Sequence, residues 1–153
     1  MEKISQFLNH WQFDRSLTLD LLASMSKDDL AFSPGPNVGP LWKQFRHIGR
    51  VQENYMDALK TGCAKFAPQG SFDGTADGGA LMDYFHKLDD ELRALLSEID
   101  PDKRIDWFGE EQLSSFEHLM RMLSHETLHH GQLIVYCKLL GKPFPKSWII
   151  WGL

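Results

Sequence analysis

Apolar positions recur at helical spacing along four stretches of the chain, and three turn-rich stretches separate them. Residues 3 to 25 carry Ile4, Phe7, Leu8, Trp11, Leu22 and Met25 close to one face. Ser26-Lys27-Asp28-Asp29 then reads as the capped start of a short further turn. A second helix opens at Pro40, a residue suited to a first turn, and closes at Gly62, a residue suited to a C-terminal cap. Its stripe, Leu41, Phe45, Ile48, Gln52, Tyr55 and Leu59, is apolar except at Gln52. A third helix is expected over residues 80 to 99, with Leu81, Phe85, Leu88, Leu92, Leu96 and Ile99 inward. The fourth runs from about Ser114 to Leu140 and stops at Gly141 ahead of Pro143. It is apolar nearly all round (Leu119, Met120, Leu123, Leu128, Leu133, Ile134, Val135 and Leu139), which predicts a helix enclosed by other helices.

The stretches between them, Ser33–Pro40, Pro68–Gly79 and Asp100–Gly109, are dense in Gly, Pro, Ser and Asp and read as loops. The tail Trp148-Ile149-Ile150-Trp151 is the one strand candidate. Four amphipathic helices joined by long connections predict an all-α four-helix bundle, one domain over residues 1–153, with the order of the helices around the bundle left open.

Length and composition agree with that picture. A chain of 153 residues, 42% hydrophobic and 24% charged, is of the size and kind that buries one continuous core. The net charge of -5 and the absence of a Lys/Arg cluster argue against a nucleic-acid partner. No apolar run reaches the length of about 18 residues that a membrane span needs, and the N-terminus lacks the pattern of a secretory signal. Cys63 and Cys137, without CxxC spacing, suit a reducing cytoplasm better than a disulfide framework. Seven histidines in so short a chain are the compositional oddity.

Two of them, His125 and His129, are four residues apart on the fourth helix. At that spacing two side chains lie about 40° apart on the helix surface and about one turn apart along it, so their imidazoles can reach a common ion. The ordinary alternative is a pair of core or surface histidines. On a buried helix, however, two imidazoles facing each other each need a partner. His118 and Gln132 share the stripe. A third ligand has to come from elsewhere. His47 on the second helix is the preferred candidate, at the edge of the core and facing a cleft, though its spacing taken alone suits a surface or boundary residue better. His10 and His86 fall on polar sides, and His130 points away from His125 as a surface residue or one packed behind the ligands. Glu126 is placed either to orient an imidazole or to face solvent. Trp107, Phe108 and the Trp148–Trp151 tail are candidates for pocket walls or for core plugs.

His125-Glu126-Thr127-Leu128-His129 also spells HExxH, the zinc-protease motif. No acidic residue follows Glu126 and the only later histidine is the adjacent His130, so the downstream ligand of such a protease is missing.

Phe45-Arg46-His47-Ile48 followed by Glu53, His125 through Leu133, and the close Leu139-Leu140-Gly141-Lys142-Pro143 resemble, in order and spacing, the DinB-like (YfiT-like) superfamily of helical-bundle metalloproteins. The resemblance implies a four-helix bundle with long crossover loops in which His47, His125 and His129 form a metal-binding triad. Family members often carry Arg where this chain has His130, a departure beside the triad rather than in it. It further implies a homodimer, and for some relatives metal-dependent transfer or isomerisation with low-molecular-weight thiols. A three-histidine site leaves positions for water or substrate, as catalytic metals require, and suits Zn or Ni first, with Fe, Mn or Co as alternatives. The expected function is metal-dependent thiol transfer on a small molecule. The alternatives are a metal-dependent hydrolase and a metal-binding or dimeric interaction protein without catalysis.

Overall fold

A computed structural model describes residues 2–153. Four long helices make the bundle: α1 (Glu2–Ala23), α3 (Leu41–Thr61), α4 (Gly78–Leu96) and α5 (Ser115–Leu140), with the short α2 (Lys27–Ala31) between the first two. Their ends follow local chemistry. Ser26 and Ser114 each form a capping box, with Asp29 and Glu117 respectively, and Asp77 caps α4 through the Ala80 amide. Gly62 and Gly141 end α3 and α5 at φ 77° and 64°, in the left-handed region that glycine enters without a Cβ penalty. The main contacts join α1 to α5 and α4, and α3 to α5 and α4, so α1 and α3 stand at opposite corners of the bundle.

The loop expected over Asp100–Gly109 contains structure that periodicity does not reveal. Arg104–Trp107 (β2) pairs antiparallel with Glu111–Ser114 (β3), and the two-residue β1 (Cys63–Ala64) adds to β2 in parallel. The expectation of a strand at Trp148–Trp151 is corrected: Lys146–Trp151 is a 3-10 turn between Pro145 and a left-handed Gly152. Trp148 is fully buried there and donates its indole N–H to the Leu17 carbonyl at 2.9 Å, so it is a core plug. No helix among the described residues is long and apolar enough to cross a membrane.

The apolar core lies in two halves. One gathers Phe7, Trp11, Tyr55, Leu59, Leu92 and Leu119, and the other Leu21, Leu41, Phe45, Phe85, Leu133 and Trp148. Between them every long helix contributes to a buried polar layer: Arg15 and Thr18 from α1, Gln52 from α3, Asp89 from α4 and Glu126 from α5. Arg15 Nη2 donates to Gln52 Oε1 at 2.6 Å and to Glu126 Oε2 at 2.9 Å, and its Nε lies 3.7 Å from Asp89. The Gln52 amide donates to the Leu88 carbonyl, and the Thr18 hydroxyl to Glu126 Oε1 at 2.6 Å. Glu126 therefore neither faces solvent nor orients an imidazole of the pair beside it; it belongs to the layer that crosses the core.

The enclosure expected for α5 is incomplete. Leu128, Val135 and Leu139, at spacings that place them on one side of the helix, are 63%, 56% and 59% exposed. Gln132 is also exposed, whereas His118 is fully buried.

Candidate metal centre

α3 and α5 pack side by side, and their contact brings together His47, one and a half turns into α3, with His125 and His129 from the middle of α5. His129 Nε2 lies 3.1 Å from His125 Nε2, which lies 3.3 Å from His47 Nε2. One ligand nitrogen from each ring falls within 4.8 Å of the others. Three nitrogens at about 2.0–2.1 Å from a tetrahedral zinc would stand about 3.3 Å apart, so this spacing is that of a ligand set.

The outer nitrogens decide which protons are available. His129 Nδ1 lies 3.1 Å from Gln44 Oε1, an acceptor, so Nδ1 carries the hydrogen and Nε2 presents a lone pair. His47 Nδ1 lies 2.7 Å from Arg50 Nη2, which can only donate, so in this arrangement the His47 hydrogen is on Nε2 and points at His125. His125 Nε2 accepts it, which places the His125 hydrogen on Nδ1, and the free lone pair of His129 lies beside them. A further proton on these rings is disfavoured. Burial, then the charge of neighbouring His47 and Arg50, depresses His125 to about 4. Burial followed by the other two histidines takes His129 to about 3. His47 is lowered by burial first and then by Arg50 and Arg46. All three imidazoles are thereby kept neutral near pH 7, the form that binds metal. For an ion to bind His47 Nε2 the ring hydrogen must move to Nδ1, and Arg50 must then turn to another acceptor.

The other candidates are elsewhere. His10 and His86 are exposed. His130, expected at the surface or behind the ligands, is almost fully buried on the opposite side of α5. Its Nε2 donates to the Thr18 hydroxyl at 2.8 Å, and its ring packs against Trp148 and Trp151. His118 lies about two turns before His125, donates from Nε2 to the Tyr55 carbonyl at 2.9 Å and packs against Tyr55 and Trp107. Trp107 and Phe108 join Phe66 and Tyr55 in an aromatic cluster at the β2–β3 turn, where Phe108 has φ 57°. Glu53 accepts from the Ser71 amide and hydroxyl, and so fixes the Pro68–Gly74 segment against α3. The residues that sequence reasoning missed are Gln44 and Arg50, each bonded to the outer nitrogen of a triad histidine. Their position was readable: Gln44 is three residues before His47 and Arg50 three after, on the same side of a helix.

A bundle of long helices with a histidine cluster between two of them, two of its members at i, i+4, defines a class of helical histidine-site proteins. The chain belongs to the DinB family, whose model matches residues 1–148. Among solved structures it is similar to a DinB-like protein from Bacillus cereus ATCC 10987, at 22% identity and TM-score 0.77, over 91% of this chain and 93% of that one. It is also similar to the DinB-like protein YjoA from Bacillus subtilis, at 22% identity and TM-score 0.71, over 96% of this chain and 97% of that one. At that identity the two structures bear on the fold alone. No curated protein matches the chain.

Proposed function

We propose that His47, His125 and His129 hold one divalent metal ion, zinc or nickel before iron, manganese or cobalt, and that the centre serves a metal-dependent reaction on a small molecule. The observation that carries this reading is the convergence of three imidazole nitrogens, with His125 Nε2 3.1 Å from His129 Nε2 and 3.3 Å from His47 Nε2. Three protein ligands leave the ion open to a further group. A bound ion would supply acidity, lowering the pKa of a thiol or a water brought to it. The chain contributes three neutral donors, and Gln44 to keep one of them in the right tautomer. Family membership favours a low-molecular-weight thiol as co-substrate and hence thiol transfer over hydrolysis, in a cytoplasmic setting that suits the two free cysteines.

Metal analysis of untagged protein after loading tests the centre. About one ion per chain is expected, with loss of it in His125→Ala. Occupancy below about one chain in ten, unchanged by that substitution, overturns it. For the reaction, the loaded protein is incubated with a thiol and a chlorinated aromatic acceptor, where transfer forms the sulfur–carbon bond and releases chloride. Turnover that His125→Ala abolishes supports a transferase. No turnover with thiols or esters favours the second reading, a non-catalytic metal-binding or interaction protein.

That second reading has its own observation in the exposed Leu128, Val135 and Leu139 of α5, which suit a second copy of this chain in a homodimer. Light scattering tests it: the unaltered chain should have the mass of a dimer and Val135→Lys that of a monomer. A monomer without the substitution contradicts the assignment.

A further inference from the structure

Beside the triad, between α3, the start of α4 and the Pro68–Asp73 segment, lies a cleft of about 360 Å³ lined by Arg46, Arg50, Phe72, Asp73 and Tyr84 among others. We propose that this cleft binds the oxyanion group of a small organic acid, a carboxylate or a phosphate ester, and that this acid is the substrate presented to the metal centre. The inference rests on the metal reading for the word substrate and deepens it by naming the chemical class.

The positive charge comes from one helix. Trp42, Arg46 and Arg50 recur every four residues along α3, and the Arg46 guanidinium stands over the Trp42 ring at 5.0 Å. Arg50 links the cleft to the triad, because it lines the one and its Nη2 contacts His47 of the other at 2.7 Å. Its Nη1 donates to the Pro68 carbonyl, and its buried Nε has no partner. When His47 serves an ion, Nη2 also loses its acceptor. An oxyanion in the cleft gives both nitrogens one, in the forked geometry that guanidinium and carboxylate or phosphate share.

Tyr84 makes the second, independent observation. Its side chain lines the cleft, it is only 7% exposed, and its hydroxyl has no hydrogen-bond partner. Burial first, and then the Glu53 carboxylate, by its charge and as an acceptor near the hydroxyl, raise its pKa, so the group remains a donor. The hydroxyl makes no hydrogen bond of ordinary geometry, and at the wall of a cleft such a buried donor is open to an acceptor on a ligand. The ring reaches this place because residue 49 is glycine: a Cβ there would fall 2.3 Å from Tyr84 Cε1. Phe72 packs on the Tyr84 ring with centroids 5.2 Å apart, so the donors lie beside an apolar wall that suits an organic body on the anion. Glu53 faces Tyr84 and is bonded to Ser71, and among the residues that line the cleft two guanidinium groups stand against the one exposed carboxylate of Asp73.

Calorimetric titration with benzoate, phenyl phosphate and inorganic phosphate, each on metal-free and zinc-loaded protein, tests the inference, with benzamide as the neutral control. Saturable binding of benzoate or of phenyl phosphate is expected, weakened about tenfold in Arg46→Gln and in Tyr84→Phe, with benzamide inert. Which of the two binds more tightly identifies the group. Failure of both organic anions to bind, equal binding by benzamide, preference for inorganic phosphate over both, or affinity unchanged in Arg46→Gln overturns it. Zinc content measured on the same samples separates the two readings. Zinc bound without anion binding defeats this inference alone, and anion binding without zinc defeats the metal centre.

Discussion

Residues 125 and 126 are neighbours on α5 and enter two different polar clusters. Glu126 turns into the core and meets Arg15, with Gln52, Asp89 and Thr18 around them, so that donors and acceptors from all four long helices answer one another. His125 turns towards α3 and meets His129 and His47, where the facing atoms are three imidazole nitrogens. The first cluster sets a cation against two carboxyl groups, although Arg15 Nε and Nη1 have no hydrogen-bond partner, whereas the second gathers three groups of one kind. Burial therefore does not distinguish a site from a structural layer; what does is whether the facing groups are complementary or alike. His118 and His130 make the same point, since each is more buried than His125, yet each donates to an oxygen of the chain itself and packs among aromatic rings.

The sharpest way to break this contrast is to remove one member from each cluster. Arg15→Met should cost about 3–5 kcal/mol of unfolding free energy, because it strands two buried carboxyl groups, while the fraction that remains folded still binds zinc. His129→Ala should move chemical denaturation of the metal-free chain by no more than about 1 kcal/mol and abolish zinc binding. Equal destabilisation by both substitutions would show that the triad is merely another structural cluster. A smaller effect is expected at Gln44. With its carbonyl removed in Gln44→Ala, His129 is free to place its hydrogen on Nε2, and zinc affinity should fall about 10–100-fold in a competition titration with a chelator. Unchanged affinity would mean that Gln44 does not set the tautomer.

The least of the expected effects concerns His118. Burial lowers its pKa to about 4, so the unfolded chain takes up its proton first. The stability that the neutral ring contributes is fully present above about pH 6.5 and is lost as the pH falls from there towards 4. His118→Phe should cost about 1 kcal/mol at neutral pH, through the unpartnered Tyr55 carbonyl, and should flatten the acid limb of the stability curve without altering zinc content. A parallel loss of zinc would tie His118 to the centre.

The helices were legible because their signals are local. Pro40, Gly62, Ser26 and Gly141 act through the backbone of their own turn, and the stripes of α3 and α4 repeat over several turns. The β2–β3 pair escaped because four residues in a turn-rich stretch carry too little periodicity, and the pairing partner is set by register across the turn. Trp148–Trp151 misled in the opposite sense: its aromatic and β-branched residues suit a strand, but Pro145 and Gly152 bound a single compact turn that docks Trp148 into the core. For the site, the i, i+4 pair was visible on one helix, whereas the family resemblance was needed to single out His47. Arg15 gave no local sign at all, since its partners come from three other helices. The nearest clue was Gln52, the one polar residue in an apolar stripe, whose carbonyl receives it.

The central claim is that three imidazole Nε2 atoms close on one ion, and X-ray absorption at the zinc edge of loaded, untagged protein tests it most directly. The expected first shell has three imidazole nitrogens and one exchangeable oxygen ligand, all at about 2.0–2.2 Å, with one imidazole fewer in His47→Ala. A shell containing sulfur at about 2.3 Å, or one that His47→Ala leaves unchanged, would contradict it.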